Sequence, residues 1–251
     1  TETNGATFTA TATGAGPITL TSTTGTLTVA TPIATGSGAI TLASGDAVTL
    51  NANVGGAGSG TVTINTNTNG AGADSFTMNP GSSITTSNAT AGAVAINVNA
   101  AAGGTGTAAL QNITTGSGGT ITVATNTGVN ATGGSINQAA GTLLNAGAGT
   151  VALVTPAGAS ASGIGTAGAN ILTTAGTVTA ATGSGGVFIT ETDGANFTAT
   201  AAGVGQINLT TTTGTLTVAG PTSTGSGAIT LTSSDAVALS AAIEWYRQRE
   251  G

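Results

Sequence analysis

The side chains able to do chemistry are few, and nearly all are carboxylates. Glu2, Asp46, Asp74, Glu191, Asp193, Asp235, Glu244 and Glu250 are scattered over 251 residues; histidine and cysteine are absent, and the two basic residues, Arg247 and Arg249, sit in the last five positions. Two carboxylates can act as general acid and base when they flank a reacting bond. Glu191 and Asp193 are the one pair spaced for that work, since i, i+2 places both on one face of a strand. The matching positions in an earlier copy of the same stretch are Glu2 and Asn4, so the pair is not built into the repeat. The body of the chain offers no electrophile, proton shuttle or Schiff-base amine, so the chain reads as non-enzymatic and without a cofactor.

Metal and phosphate sites are no better supplied. Calcium-binding roll turns read GGxGxD, and the nearest strings, GGAGSG from Gly55 and GAGADS from Gly70, lack the repeated aspartate. Asp46 and Asp235 lie in Ser-Gly-Asp and Ser-Ser-Asp turns, where a carboxylate accepts backbone hydrogen bonds at a corner. The run Gly116-Ser117-Gly118-Gly119 would cradle phosphate only ahead of a helix, and no helical period follows it.

Composition narrows the class further. Charged residues make up 4% and aromatic residues 2% of the chain, against 39% hydrophobic residues and a mean hydropathy of +0.33, a balance that collapses into order and is unlike that of a disordered chain. Glycine is frequent, with 43 residues, but never falls at every third position, so a collagen helix is excluded. A net charge of −6 repels phosphate backbones and anionic membrane surfaces, which argues against nucleic acid as a partner. No apolar run is long enough for a membrane helix, and one Trp, one Tyr and four Phe cannot build the girdles of a membrane barrel. Membrane insertion is therefore not expected.

What positions the few polar groups is a pair of nested repeats. Thr1 to Val54 aligns without a gap onto Thr190 to Ile243, a constant 189-residue offset, with about 38 of 54 positions identical. The organisation read from this is a first long unit over 1–189, a partial second copy over 190–243 and a non-repeat tail over 244–251, with both ends cut through a longer tandem array. The tail, EWYRQREG, reads as a linker or scar, or as a cap in which Trp245 and Tyr246 cover the last coil and the arginines discourage further strand addition.

Inside the long unit Ile18, Ile40, Val62 and Ile84 recur with a period of about 22 residues, and Ile207 and Ile229 repeat that step. Each opens an apolar-polar-apolar triplet, such as Ile18-Thr19-Leu20, Ile40-Thr41-Leu42 and Val62-Thr63-Ile64, the alternation of a strand with one buried face. Second triplets follow at Leu27-Thr28-Val29 and Val48-Thr49-Leu50. Such a period with short strands is solenoid spacing, so the chain is expected to be all-β, a parallel β-solenoid with coils of about 21–22 residues. Ile18, Leu20, Ile40, Leu42, Val62, Ile64, Ile84, Ile207, Leu209, Ile229 and Leu231 are its predicted core ladder, and Thr19, Thr41, Thr63 and Thr85 its outer one. Thr-Gly, Gly-Ser-Gly and Ser-Gly-Asp clusters between the triplets are expected to supply positive φ at the corners. Nine coils would fill the long unit and eleven or twelve the chain. The register over 99–186 is not set by the sequence, because the triplets there fall at uneven steps.

A single coil has too few inward aliphatics to offset the entropy of ordering its backbone, so coils fold only when stacked, which buries both sides of each inner side chain and gives strand amides ladder partners.

Tandem GSGAITL…DAVTL units in a cysteine-free chain rich in Thr, Gly and Asn resemble filamentous-haemagglutinin-type and autotransporter-type passengers of bacterial envelopes. The resemblance covers all but the last eight residues and implies a right-handed β-helix, export to the cell surface or beyond, and the role of an adhesin shaft or extracellular fibre. The secretion signature Asn-Pro-Asn-Gly of one branch is represented only by Asn79-Pro80-Gly81 in mid-chain, and no Arg-Gly-Asp occurs. Three roles stay open: a stiff stalk, a filament whose subunits associate end to end or laterally, and an adhesin that meets host or neighbouring cells through loops of 99–186. Ice binding by the threonine ladder is weaker, because its neighbouring column reads Thr21, Ala43, Asn65 and Ser87.

Overall fold

The computed structural model describes residues 1–101, 103–125, 134–157 and 161–245. Among them there is no helix, and twenty-three of the strands form one sheet in which every pairing is parallel. Each segment pairs with the segment one coil earlier and one coil later, so the chain is a parallel β-solenoid, open at both ends of the described stack.

Three inward columns run along it. On the first face Ile18, Ile40, Val62, Val94, Ile121, Val151, Val178, Phe197, Val218 and Leu239 stand in line. On the second, Leu27, Val48, Phe76, Ala108, Ile136, Ile164, Val187, Ile207 and Ile229 do the same. The third begins with Ile33, Val54, Ile84, Ile113 and Leu144. β-branched and leucine side chains fill these positions because alternate residues of a strand point to one side, and the same kind of side chain recurs at each level. Between the ends of the stack the inward side chains are shut off from the surface: Leu42, Ile64, Ile84, Ile113, Ile121, Leu144 and Ile171 are all fully buried.

The coil length is not uniform, and this corrects the sequence reading. The steps from Ile18 to Ile40 and from Ile40 to Val62 keep the expected period, but those to Val94, Ile121, Val151 and Val178 are all longer. The steps then contract again at Phe197, Val218 and Leu239, to slightly below the period of the first coils. Much of the added length lies in loops that leave the first face and return on the second, such as 66–75 and 98–107. The described stack therefore has ten levels on the first face, about 45 to 50 Å at about 4.8 Å per level, where eleven or twelve were expected.

Ile84 and Thr85 move as a result. The partner of Val62 is Val94, whereas Ile84 stands over Val54 on the third face and Thr85 over Gly55. Ile84 is still core, but of another column.

The two copies of the long repeat are out of phase. Ile207, the counterpart of Ile18, lies in the column of Leu27, and the column of Ile18 is continued by Val218, the counterpart of Val29. Eight coils separate Ile18 from Val218, so the offset between the copies amounts to about seven and a half coils and not nine.

Glycine serves the corners in two ways. Gly25 and Gly214 have φ of 77° and 74°, as a tight turn requires. The Gly-Ser-Gly corners need glycine for a different reason from the one expected: a Cβ on Gly60 would lie 1.9 Å from the Gly38 carbonyl oxygen, and one on Gly38 2.1 Å from that of Gly16. Backbones of successive levels touch there, and only hydrogen fits between them.

Candidate functional site

The outer threonine ladder is shorter than its sequence suggests. Thr19, Thr41 and Thr63 stack on the first face, followed by Ala95 and Thr122, while Thr85 stacks instead with Thr114 on the third. The adjoining outer column reads Thr21, Ala43, Asn65, Asn97 and Ala124. A longer ladder, Thr7, Thr28, Thr49 and Thr77, runs on the second face. It is hidden in the sequence because Thr77 follows Thr49 by a longer step than the repeat period, although Phe76-Thr77-Met78 has the same triplet pattern as its neighbours.

Asparagines add ladders of amides along the rod axis. Asn97 Nδ2 donates to Asn65 Oδ1 at 2.9 Å, Asn79 Nδ2 to Asn51 Oδ1 at 2.6 Å, and the buried Asn67 Nδ2 to Asn99 Oδ1 at 3.0 Å. Asn99 also receives the Gly106 N–H and donates to the carbonyls of Gly106 and Thr125, which pins the root of the 98–107 loop. Asn67 and Asn99 both take positive φ, 53° and 56°, a conformation asparagine tolerates better than most residues.

The aspartates at the corners accept hydrogen bonds from neighbouring levels. Asp46 Oδ2 accepts the Gly25 N–H at 2.5 Å and Asp46 Oδ1 accepts Asn69 Nδ2 at 2.9 Å. Asp235 Oδ2 accepts the Gly214 N–H at 2.5 Å in the same way. Ser44 Oγ and Ser233 Oγ each accept the N–H of the aspartate two residues on. Partial burial and the nearby Asp46 carboxylate raise the Asp74 carboxyl above its usual range. Among the described residues no three His, Cys, Asp or Glu side chains come together.

Glu191 and Asp193 do not share a strand face. Glu191 ends the strand Val187–Glu191 with its side chain turned inward and fully buried, whereas Asp193 lies exposed in the turn that follows. The turn nonetheless brings the Asp193 carboxyl within hydrogen-bonding reach of Glu191. Glu191 Oε2 accepts the Thr173 hydroxyl at 2.5 Å, and Oε1 accepts the N–H groups of Ala175 and Thr192 at 3.1 and 3.0 Å. Burial pushes its carboxyl up to about 7, the Asp193 carboxylate adds to the rise, and the Thr173, Ala175 and Thr192 donors oppose it. Its counterpart Glu2 lies exposed on the outermost strand of the stack.

At the other end, Leu209 stands over Ile189 and under Leu231, and Ile207 under Ile229. Ile229 and Leu231 are half-buried there, as is Leu20 near the first level. With Ile243 and Trp245 the first two line an open hollow of about 760 Å³. Strand Ile243–Trp245 continues the ladder on Thr222–Thr224, with the Trp245 side chain 68% exposed. Tyr246, Arg247 and Arg249, on which the cap reading rests together with Trp245, lie outside the described residues, as does Glu250.

No family model, characterised protein or solved structure matches the chain.

Proposed function

We propose that the chain is a stiff spacer, a segment of a secreted or cell-surface fibre that holds what it joins a set distance apart. The observation that supports this reading best is the run of two inward apolar columns through nine and ten levels, because closely packed stacked layers resist bending and compression along the rod. The acidic groups accord with it: Asp46 and Asp235 secure corners, and Glu191 has no access to solvent. On this reading the chain is not an enzyme, takes no cofactor, and has neither nucleic acid nor membrane insertion as part of its role.

A second reading is end-to-end association with another copy, since any uncovered level of such a stack presents an unpaired strand edge that invites another strand.

Dyes placed at Thr19 and Thr217, eight levels apart on the first face, distinguish the two. A single distance of about 40 Å, unchanged by salt and by protein concentration, is expected of the spacer. A broad or shifting distance overturns stiffness, and growth of particle mass with concentration favours association. Binding of the whole chain to cells or glycans would replace both with adhesion.

A further inference from the structure

The third column changes character along the rod. Ile33, Val54, Ile84, Ile113 and Leu144 are followed in line by Thr173, Glu191, Thr211 and Ser233. The change coincides with a contraction of the coil, since Phe197 follows Val178 by a much shorter step than Val178 follows Val151. A carboxyl group with no exposed surface therefore sits at the joint between long and short coils.

We propose that Glu191 is a proton-operated clasp at this joint: protonated, it lets the coils around 171–201 close tightly, and ionised, it loosens them. Three donors, the Thr173 hydroxyl and the Ala175 and Thr192 N–H groups, meet its two oxygens and favour the ionised form, whereas burial and the Asp193 carboxyl within hydrogen-bonding reach favour the protonated one. The strand Ile171–Thr182 on one side presents no titratable group, and neither does Ile207–Thr211 on the other. The charged groups on this side of the joint are Asp193, in the following turn, and Asp235, which holds the Gly214 N–H one level further on. Both are acidic, and no cation among the described side chains offsets a buried negative charge. An ionised carboxylate is thus desolvated without a counter-charge, which disfavours the charged form.

The sign follows from linkage. In the unfolded chain the carboxyl titrates near its ordinary 4.5, and in the folded chain at about 7. Between those values the folded state holds the extra proton, so stability is full below about pH 4.5, falls as pH rises to about 7, and stays low above it.

The test is denaturant unfolding of the full chain at pH 5 and pH 8, with hydrogen exchange over 187–201 at both. From pH 5 to 8 the wild type is expected to lose on the order of 100-fold in its local folding equilibrium, because that equilibrium falls tenfold for every pH unit crossed between the two titration points and residual solvent screening trims the total. Glu191→Gln keeps the shape without the titration, and its pH dependence is expected to be nearly flat. Asp193→Asn should retain most of the wild-type slope. An equal slope in wild type and Glu191→Gln overturns the proposal. Infrared spectra of the wild type serve independently of how the variant folds: a neutral carboxyl band at pH 6 that vanishes by pH 9 is expected, and its absence at pH 6 overturns the clasp.

Discussion

The carboxylates divide into corner acceptors and one interior group, and the division follows from where each falls in its coil. Asp46 and Asp235 occupy the same place in their copies and make the same bond to a glycine N–H one level earlier. Asp46→Ala should cost about 1 to 2 kcal/mol in denaturant unfolding, because the Gly25 N–H and the Asn69 amide both lose an acceptor. Asp46→Asn should recover about half of that, as its amide oxygen can face Gly25. The corner role of these aspartates was legible from their turn sequences. The interior role of Glu191 was not, because i, i+2 spacing assumes that a strand continues to Asp193, and the strand stops at Glu191. Asn99 was equally hidden: nothing in a Thr/Asn/Gly loop shows that one amide will hold Gly106 and Thr125 together. Asn99→Ala leaves those groups unpaired in a buried setting, and a loss of about 2 to 3 kcal/mol with faster exchange of the Gly106 amide is expected.

Among elements, the strand triplets were readable and their assignment to faces was not. Ile18-Thr19-Leu20 and Ile84-Thr85 share a pattern and the same phase of the sequence period, yet they occupy different columns. Alternation reports which side of a strand is buried; it carries no information on the length of the loop that brings the chain to the next level. Loop 66–75 displaces the count, and Val94 takes the place that Ile84 would have held. The glycine corners were found, but for a reason only partly right, since contact between backbones matters at Gly38 and Gly60 more than backbone conformation does. Gly60→Ala should destabilise by about 1 to 3 kcal/mol, as overpacking against the Gly38 carbonyl forces a shift, whereas Gly81→Ala, open to space but at positive φ, should cost about 1 kcal/mol. Thermal midpoints of the two variants, measured side by side, check the ranking. In the core, Ile64→Ala removes a fully buried side chain between Leu42 and Ile96 and should cost about 2 to 5 kcal/mol in the same measurement.

At the scale of the molecule, each level touches only its neighbours, so stability is shared unevenly along the rod. Amides of the described strands from Val62–Asn65 to Ile171–Thr182 are expected to exchange slowest, and those of Glu2–Phe8 and Val237–Leu239 fastest, in hydrogen-exchange mass spectrometry. Uniform protection from end to end would contradict a nearest-neighbour stack. The half-coil mismatch between the duplicated stretches has a further effect. Because one repeat block carries the backbone about seven and a half times around the axis, gaining or losing such a block between the duplicated stretches would lengthen or shorten the shaft by roughly 36 Å. It would also turn everything beyond the junction about the axis, because the block is not a whole number of coils and loops past it would face another side.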